Sequence, residues 1–231
     1  MTGVELIAAA RAQSRAALDE LAGKQLLAGF GVKVPRSVTV PNAGAAAAAA
    51  GLTPPLAVKV MSPDILHKSD AGGVKIGLQN AHEVGQAIDE MATLPAIKAA
   101  RIDGYLIEEM APAGQEIVVG SVRDPDFGPM VMVGLGGIFV EVLADVAFRI
   151  CPITRLDAEE MLAELKGAAI LEGARGRKPV SRDAIVDVRL KIGSDDGLLM
   201  RHADDFTEAD INPLIVSETG AVAVDARFIL A

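Results

Sequence analysis

The chain has 231 residues, 51% of them hydrophobic, a formal net charge of −9 and an isoelectric point near 4.9. That composition can bury a sizeable core, as one large domain or two lobes, and the acidic balance without a Lys/Arg cluster excludes a nucleic-acid or anionic-membrane surface. A single cysteine, Cys151, excludes an internal disulfide and a cysteine-based zinc site, and 3% aromatics with no tryptophan argue against a base-stacking platform.

Residues 1–27 carry Glu5, Arg11, Arg15, Asp19 and Glu20, so they read as neither a signal peptide nor a membrane span. With the lone cysteine this sets the expectation of a reducing, cytoplasmic protein. Val4, Ile7, Ala8, Leu18 and Leu21 have helical spacing, a second helix is predicted over 24–30 with Gly31 as its C-cap, and 32–40 reads as a strand. Asn42 and Gly51 bracket a short alanine helix. A strand over 56–60 holds Lys59. The turn Ser62-Pro63-Asp64 follows, then His67 and Lys68, and Gly72-Gly73 opens a strand over 74–78.

A helix over 81–100 is interrupted near Pro95, and a strand over 105–110 ends at Pro112-Ala113-Gly114. Strands are predicted over 116–122, 130–135, 138–143 and 147–153, and helices over 158–166, with Asp157 as cap, and 182–192. Residues 209–217 and 221–229 read as a terminal hairpin joined at Glu218-Thr219-Gly220. Grouped strands without a strict strand-helix-strand repeat favour an α+β fold of two lobes. The expected division is an N-terminal helical segment 1–23, a smaller lobe 24–107 and a larger lobe 108–231.

Lys59 is an ammonium in an apolar run, costly to bury unless an anion meets it, and a glycine pair can bring backbone N–H groups to a phosphoryl oxygen. The same residues also fit an ordinary hairpin with Lys59 at a strand edge and His67 solvated. His82 and His202 are assigned to helix or loop surfaces. Asp210 and Asn212 share one face of a strand, and Asp225 on the partner strand can meet them, giving hard oxygen ligands of the kind Mg²⁺ accepts. A polar sheet face with Pro213 marking an edge fits the same three, and spacing alone favours that plainer reading. The connector 108–111, with Glu108, Glu109, Met110 and Ala111, has backbone groups suited to a purine wedged between lobes, and Glu116 beyond it suits ribose hydroxyls. Solvated glutamates at a strand end are the plain alternative. Gly134 to Gly137 lacks a phosphate-loop string and reads as a tight turn.

Six strings in order, A57-V-K-V, S62-P-D-I-L-H-K-S-D-A-G-G-V, R123-D-P-D-F-G-P, G134-L-G-G-I-F-V-E-V-L, G173-A-R-G and D210-I-N-P-L-I-V with V224-D-A-R, resemble the ATP-grasp β subunit of ADP-forming acyl-CoA synthetases, the acetate–CoA ligase group related to succinyl-CoA synthetase. The resemblance implies an ATP-grasp fold of two α/β lobes with the nucleotide between them. It implies ATP or ADP and Mg²⁺ as cofactors, and CoA through a partner α subunit carrying the CoA-binding and ligase domains. Lys59 is similar to the lysine on the nucleotide phosphates, Glu116 to the ribose-side carboxylate, and Asn212 and Asp225 to the metal-holding pair. His67 is similar to the histidine that carries a phosphoryl group, and Asp210 to the acid that orients a phosphohistidine. Succinyl-type relatives carry glutamate at that last position, and Ser69 stands where threonine is more usual. The implied reaction converts acid, CoA and ATP reversibly to acyl-CoA, ADP and phosphate. A non-catalytic regulatory module and a CoA-independent ATP-grasp ligase are the alternatives.

Overall fold

The computed structural model describes every residue except 66, 138, 139, 141 and 174–177. Two units emerge: a larger one, Met1–Val34 with Pro112–Ala231, and a smaller one, Pro35–Ala111, inserted into it. This differs from the boundaries expected at 23 and 107. Helices α1 (Gly3–Ala12) and α2 (Glu20–Gly29) bring Leu6, Ile7, Leu26 and Leu27 into one core with Leu214 and Phe228 near the other end of the chain. Backbone bonds from Leu18 to Phe228 and from Leu230 to Ala16, both 2.9 Å, tie the N-terminal segment there. Among the described residues no helix is long and apolar enough to cross a membrane.

Local chemistry sets the helix ends. Thr2 and Glu5 form a reciprocal capping box on α1, and Asp19 caps α2. Gly31, at φ +77°, closes α2 as expected: its N–H reaches Ala28 and that of Val32 reaches Leu27, the paired bonds of a Schellman turn.

In the smaller unit, β1 (Ser37–Val40), β2 (Leu56–Met61), β3 (Val74–Leu78) and β4 (Gly104–Glu109) form an antiparallel sheet in the order β1-β4-β2-β3. Helix α3 (Ala81–Thr93) buries Val84, Ile88 and Met91 in one cluster with Val58, Val60, Tyr105 and Ile107. Burial of such side chains is worth about 1.5–3 kcal/mol each. Pro95 starts α4 (Pro95–Ala99), which is why the predicted long helix breaks there. The alanine tract is a 3₁₀ helix, Ala43–Gly51, in which Asn42 makes no side-chain cap. Its buried residues, Ala46 and Ala49, are three apart, the period of that helix. The strand expected over 32–40 shrinks to Ser37–Val40; Pro35 has no N–H to give a ladder.

In the larger unit, β5 (Gln115–Asp124), β6 (Gly128–Leu135), β7 (Val146–Ile150), β8 (Phe206–Ser217), β9 (Gly220–Ala223) and β10 (Arg227–Leu230) form a sheet ordered β10-β8-β5-β6-β7, with β9 also on β8. One face packs on the helices. Val119, Val133, Ile211 and Phe228 share that core with Leu6 of α1, Met161 of α5 (Arg155–Ala163) and Ile185 of α6 (Arg182–Gly193). Thr154 caps α5 and Asp157 is the returning partner of its capping box, so the expected cap lies three residues too late. The strand expected over 138–143 is not formed by its described residues: Val140 donates to the Gly137 carbonyl at 3.1 Å, and Val142 and Leu143 lie in a turn. Residues 138, 139 and 141 of that string, 174–176 of the G-A-R-G string and 66 of the His67 string lie outside the described residues.

Two of the three histidines contrast sharply. His82 is exposed on α3, as expected. His202 caps the short helix α7 (Leu198–Arg201), with its ring 5.9 Å from Phe30 and 6.0 Å from Phe206 and its Nδ1 2.9 Å from Asp205 Oδ2. The surface assignment of His202 is therefore corrected. Asp205 also takes Arg11 Nη1 at 3.0 Å, so this histidine is one member of a network that fastens α1 to the turn before β8. Replacing it strips ring packing and a polar partner together. Urea unfolding should show His202→Ala losing about 1–3 kcal/mol, while His82→Ala stays within about 0.5 kcal/mol of the parent.

Candidate functional site

Each unit gathers its own set of the expected site residues. In the smaller unit, β2 and β4 pair with Lys59 opposite Leu106 and Ala57 opposite Glu108, so Lys59 and Glu108 are diagonal neighbours on one sheet face. Their Nζ and Oε1 atoms lie 2.7 Å apart, with the side chains 7% and 1% exposed. Lys59 is therefore neither at a strand edge nor solvated, and Glu108 is a buried counter-ion instead of a wet strand end. The pair solves the cost of burying an ammonium within the unit itself.

The rest of the connector is also engaged. Glu109 Oε1 accepts from Arg36 Nη1 at 3.0 Å and from the Thr53 N–H at 2.8 Å. The N–H groups of Glu109 and Met110 donate to the carbonyls of Arg36 and Pro55, both at 3.0 Å. Among the described residues, no acceptor meets the N–H of Ala111.

His67 is exposed on the loop between β2 and β3. Its own carbonyl accepts from Ala71 at 3.3 Å, and Asp64 Oδ2 anchors the start of the loop by accepting the Arg101 N–H at 2.7 Å. The glycine pair that follows does not offer its N–H groups as a phosphoryl cradle: Gly72 donates to Ser69 at 3.0 Å and Gly73 to Lys68 at 2.7 Å. Glycine is needed for space. Gly72 has φ +70° with Leu94 Cδ1 2.7 Å from where a Cβ would stand, and a Cβ on Gly73 would overlap Val60 Cγ1.

In the larger unit the site is made by an irregularity in β8. Ile117 pairs with Leu214 and Val119 with Ile211, so two steps along β5 match three along β8. The extra residue falls at Asn212-Pro213. This bulge lets Ala209 and Ile211 face the core before it and Leu214 and Val216 after it, while Asp210 and Asn212 stay exposed on the other face. Pro213 sits in the bulge of an interior strand, where its missing N–H costs little, and does not mark an edge. Asp225 lies in the break between β9 and β10, with its Oδ1 accepting the Ala226 N–H at 2.8 Å.

Electrostatics show that these residues meet. Lost hydration against the sheet, and then the Asp225 carboxylate, push the pKa of Asp210 up; Arg227 and a hydrogen bond from Asn212 pull the other way. A carboxyl group whose proton affinity is raised by burial and by a second carboxylate is a place where a cation is welcome. No group of three or more His, Cys, Asp or Glu forms a metal cluster among the described residues. Two carboxylates and an amide oxygen fit Mg²⁺ only with phosphates and water as further ligands, which is how that ion usually binds nucleotides.

Glu116 is exposed on β5, and its carbonyl accepts the Gly136 N–H at 2.8 Å. A Cβ on Gly136 would come 2.7 Å from Glu116 Cβ, so the glycines at 136–137 let a turn close on the strand that carries Glu116, in keeping with the tight-turn reading. Arg227 was passed over in the sequence, although it ends the V-D-A-R string. Only the register, which sets Arg227 directly opposite Asp210, brings it into view.

Residues 9–230 match the ATP-grasp domain family. The chain is 44% identical over 98% of its length to the acetate–CoA ligase (ADP-forming) I subunit beta of Pyrococcus furiosus, covering 97% of that protein. It is 45% identical over 76% of its length to the acetate–CoA ligase (ADP-forming) I of Archaeoglobus fulgidus, of which the match covers 25%. The dinucleotide-forming acetyl-coenzyme A synthetase 1 of Ca. Korarchaeum cryptofilum, solved with coenzyme A and Ca-AMPCP, superposes with a TM-score of 0.91 at 37% identity, covering 98% of this chain and 99% of that one. The same enzyme solved with coenzyme A and Mg-AMPPCP, its phosphohistidine segment pointing towards the nucleotide-binding site, gives 0.85 at 36% identity over 99% and 100%. With the α+β architecture of both units, these likenesses have one meaning: the chain belongs to the ATP-grasp family and, within it, to the β subunits of ADP-forming acetate–CoA ligases, which are acid–thiol ligases.

Proposed function

We propose that this β subunit binds ATP with Mg²⁺ and passes a phosphoryl group through His67, in a ligase completed by an α subunit that carries the CoA-binding and ligase domains. The observation that carries the reading is the Asp210, Asn212 and Asp225 set, where a bulged strand holds two mutually repelling carboxylates and an amide on an open face. The Archaeoglobus relative, four times the matched length in one chain, supports the partner. Acetate is the acid named for the Pyrococcus and Archaeoglobus relatives, and selection of the acid belongs to that partner in this reading. A cytoplasmic setting suits Cys151, whose buried thiol is pushed up to about 12 and stays inert.

Lys59 places a fixed positive charge for the nucleotide phosphates, and Glu108 aims it. Bound Mg²⁺ would supply charge neutralisation on the phosphates, held by Asn212 and Asp225. Ala111 offers its N–H to the base, beside the backbone of Glu108, Glu109 and Met110, and Glu116 accepts ribose hydroxyls. A neutral ring nitrogen of His67 attacks the γ-phosphorus; the new N–P bond forms as the bond to the ADP oxygen breaks, and the ring proton leaves to solvent. A later attack on that phosphorus returns the imidazole free. One difficult transfer thereby becomes two easier ones.

Saturating Mg·ATP should raise the melting temperature of the isolated chain, as any ligand of the folded state does. In the same assay Asp225→Asn should weaken the Mg²⁺-dependent part at least tenfold more than Ser69→Ala; equal effects would remove Asp225 from the metal.

The buried ion pair adds a stability effect that binding assays must separate. Lys59→Ala leaves a lone buried carboxylate and should cost about 3–5 kcal/mol in urea unfolding, most of which the double replacement Lys59→Met with Glu108→Leu should restore.

With the α partner and ATP, His67 should acquire a label that acid releases and alkali does not. His67→Ala should keep ATP binding and abolish acyl-CoA formation. Full synthesis by that variant would instead favour the CoA-independent ligase chemistry that needs no histidine carrier.

A further inference from the structure

Residues 136–145 join β6 to β7, neighbouring strands on which Gly134 lies opposite Val146. The connection leaves past Glu116 and returns through a constrained end. Ala144 has φ +47°, a left-handed conformation that a residue with a Cβ keeps only where its surroundings impose it. The imposing group is the next residue. Asp145 is 4% exposed, and each of its carboxylate oxygens accepts a backbone N–H at 2.8 Å, Oδ1 from Lys166 and Oδ2 from Gly167. Two N–H donors need two acceptor oxygens, which a carboxylate has and an asparagine amide has not.

Contacts run from this clamp to Glu116. A Cβ on Gly167 would overlap Leu135 Cδ1 and come 3.2 Å from Asp145 Oδ2, so Leu135, the turn at 166–167 and Asp145 close on one another. Leu135 is fully buried, and the residue after it, Gly136, is the one whose N–H bonds to the Glu116 carbonyl. On the other flank, a Cβ on Gly134 would lie 2.8 Å from Val140 Cγ2 and 3.1 Å from the Asp145 carbonyl oxygen. Gly137, at φ +63°, stands beside the acid itself: a Cβ there would be 3.9 Å from Glu116 Oε2. Among the described residues the Glu116 carboxylate makes no hydrogen bond or ion pair, so this turn is what limits where it can stand.

We propose that Asp145 is a positioning residue of the nucleotide site: by clamping the end of the connection to Lys166 and Gly167 it fixes Gly136 and Gly137 against Glu116, and so places the carboxylate for the ribose hydroxyls. This rests on the function proposed above, with Glu116 as its ribose-side acid. A carboxylate held in place before binding loses less side-chain freedom when the ribose arrives than one that must be ordered by it.

The test is calorimetric titration of the whole chain with Mg·ATP and with its 2′,3′-dideoxy analogue, which lacks the ribose hydroxyls. The parent should hold ATP more tightly than the analogue, and Glu116→Gln should erase the difference. Asp145→Asn should weaken ATP at least fivefold and leave the analogue within about twofold of the parent. Placed on top of Glu116→Gln, it should weaken ATP no further. The ratio of the two affinities decides, because loss of folded chain lowers both alike. Gly167→Ala gives a second reading should Asp145→Asn fail to fold: φ −87° there suits any residue, and the methyl group wedges Leu135 from Asp145, so the ratio should fall at least twofold. A ratio unchanged in both variants, or equal losses for the two nucleotides as a purely structural Asp145 would give, overturns the proposal and leaves the nucleotide reading standing. A parent that binds both nucleotides alike removes Glu116 from the ribose and this inference with it, and a parent that binds neither removes the nucleotide reading as well.

Discussion

The bulge at Asn212-Pro213 is the constraint on which the larger unit turns. Side chains alternate along a strand, so a regular β8 that buried Ala209 and Ile211 would have to expose Leu214 and Val216. One extra residue resets the alternation. The core then keeps both apolar pairs, and the residues before and within the bulge, Asp210 and Asn212, remain on the open face. Because β8 is paired on both sides, with β5 on one and β9 and β10 on the other, the irregularity is held rigidly and the polar groups inherit that precision.

The two units handle charge in opposite ways. In the smaller one, Lys59 and Glu108 neutralise each other at 2.7 Å while almost fully buried, a closed arrangement that fixes the ammonium in place. In the larger one, lost hydration and then the neighbouring Asp225 carboxylate raise the pKa of Asp210. A carboxyl raised in this way favours the protonated fold, so stability present at acidic pH is lost as pH climbs through its folded-state value.

The glycines also divide by physical role. Gly72, Gly73 and Gly136 are placed where a methyl group would collide with Leu94, Val60 or Glu116. Their backbone N–H groups are spent on turns, so the His67 loop is shaped by its glycines without being armed by them.

Much was legible in the order of residues alone. Spacing located α3, the break at Pro95, α6 and most strands, and six ordered strings indicated the ATP-grasp family. Local pattern suffices for these because helix period, proline and capping chemistry act within a few residues. It failed where partners lie far apart in the chain. The N-terminal helices join the larger unit because Leu6 and Leu27 share a core with Phe228, some two hundred residues on. His202 packs half-buried against Phe30 and Phe206, Glu108 is claimed by Lys59, and the bulge at Pro213 exists only against β5. The sequence by itself determined which chemical groups this protein possesses and the family they belong to; tertiary structure alone decided which of those groups are paired, buried or left open, because charge and packing energies depend on distances that chain order does not contain.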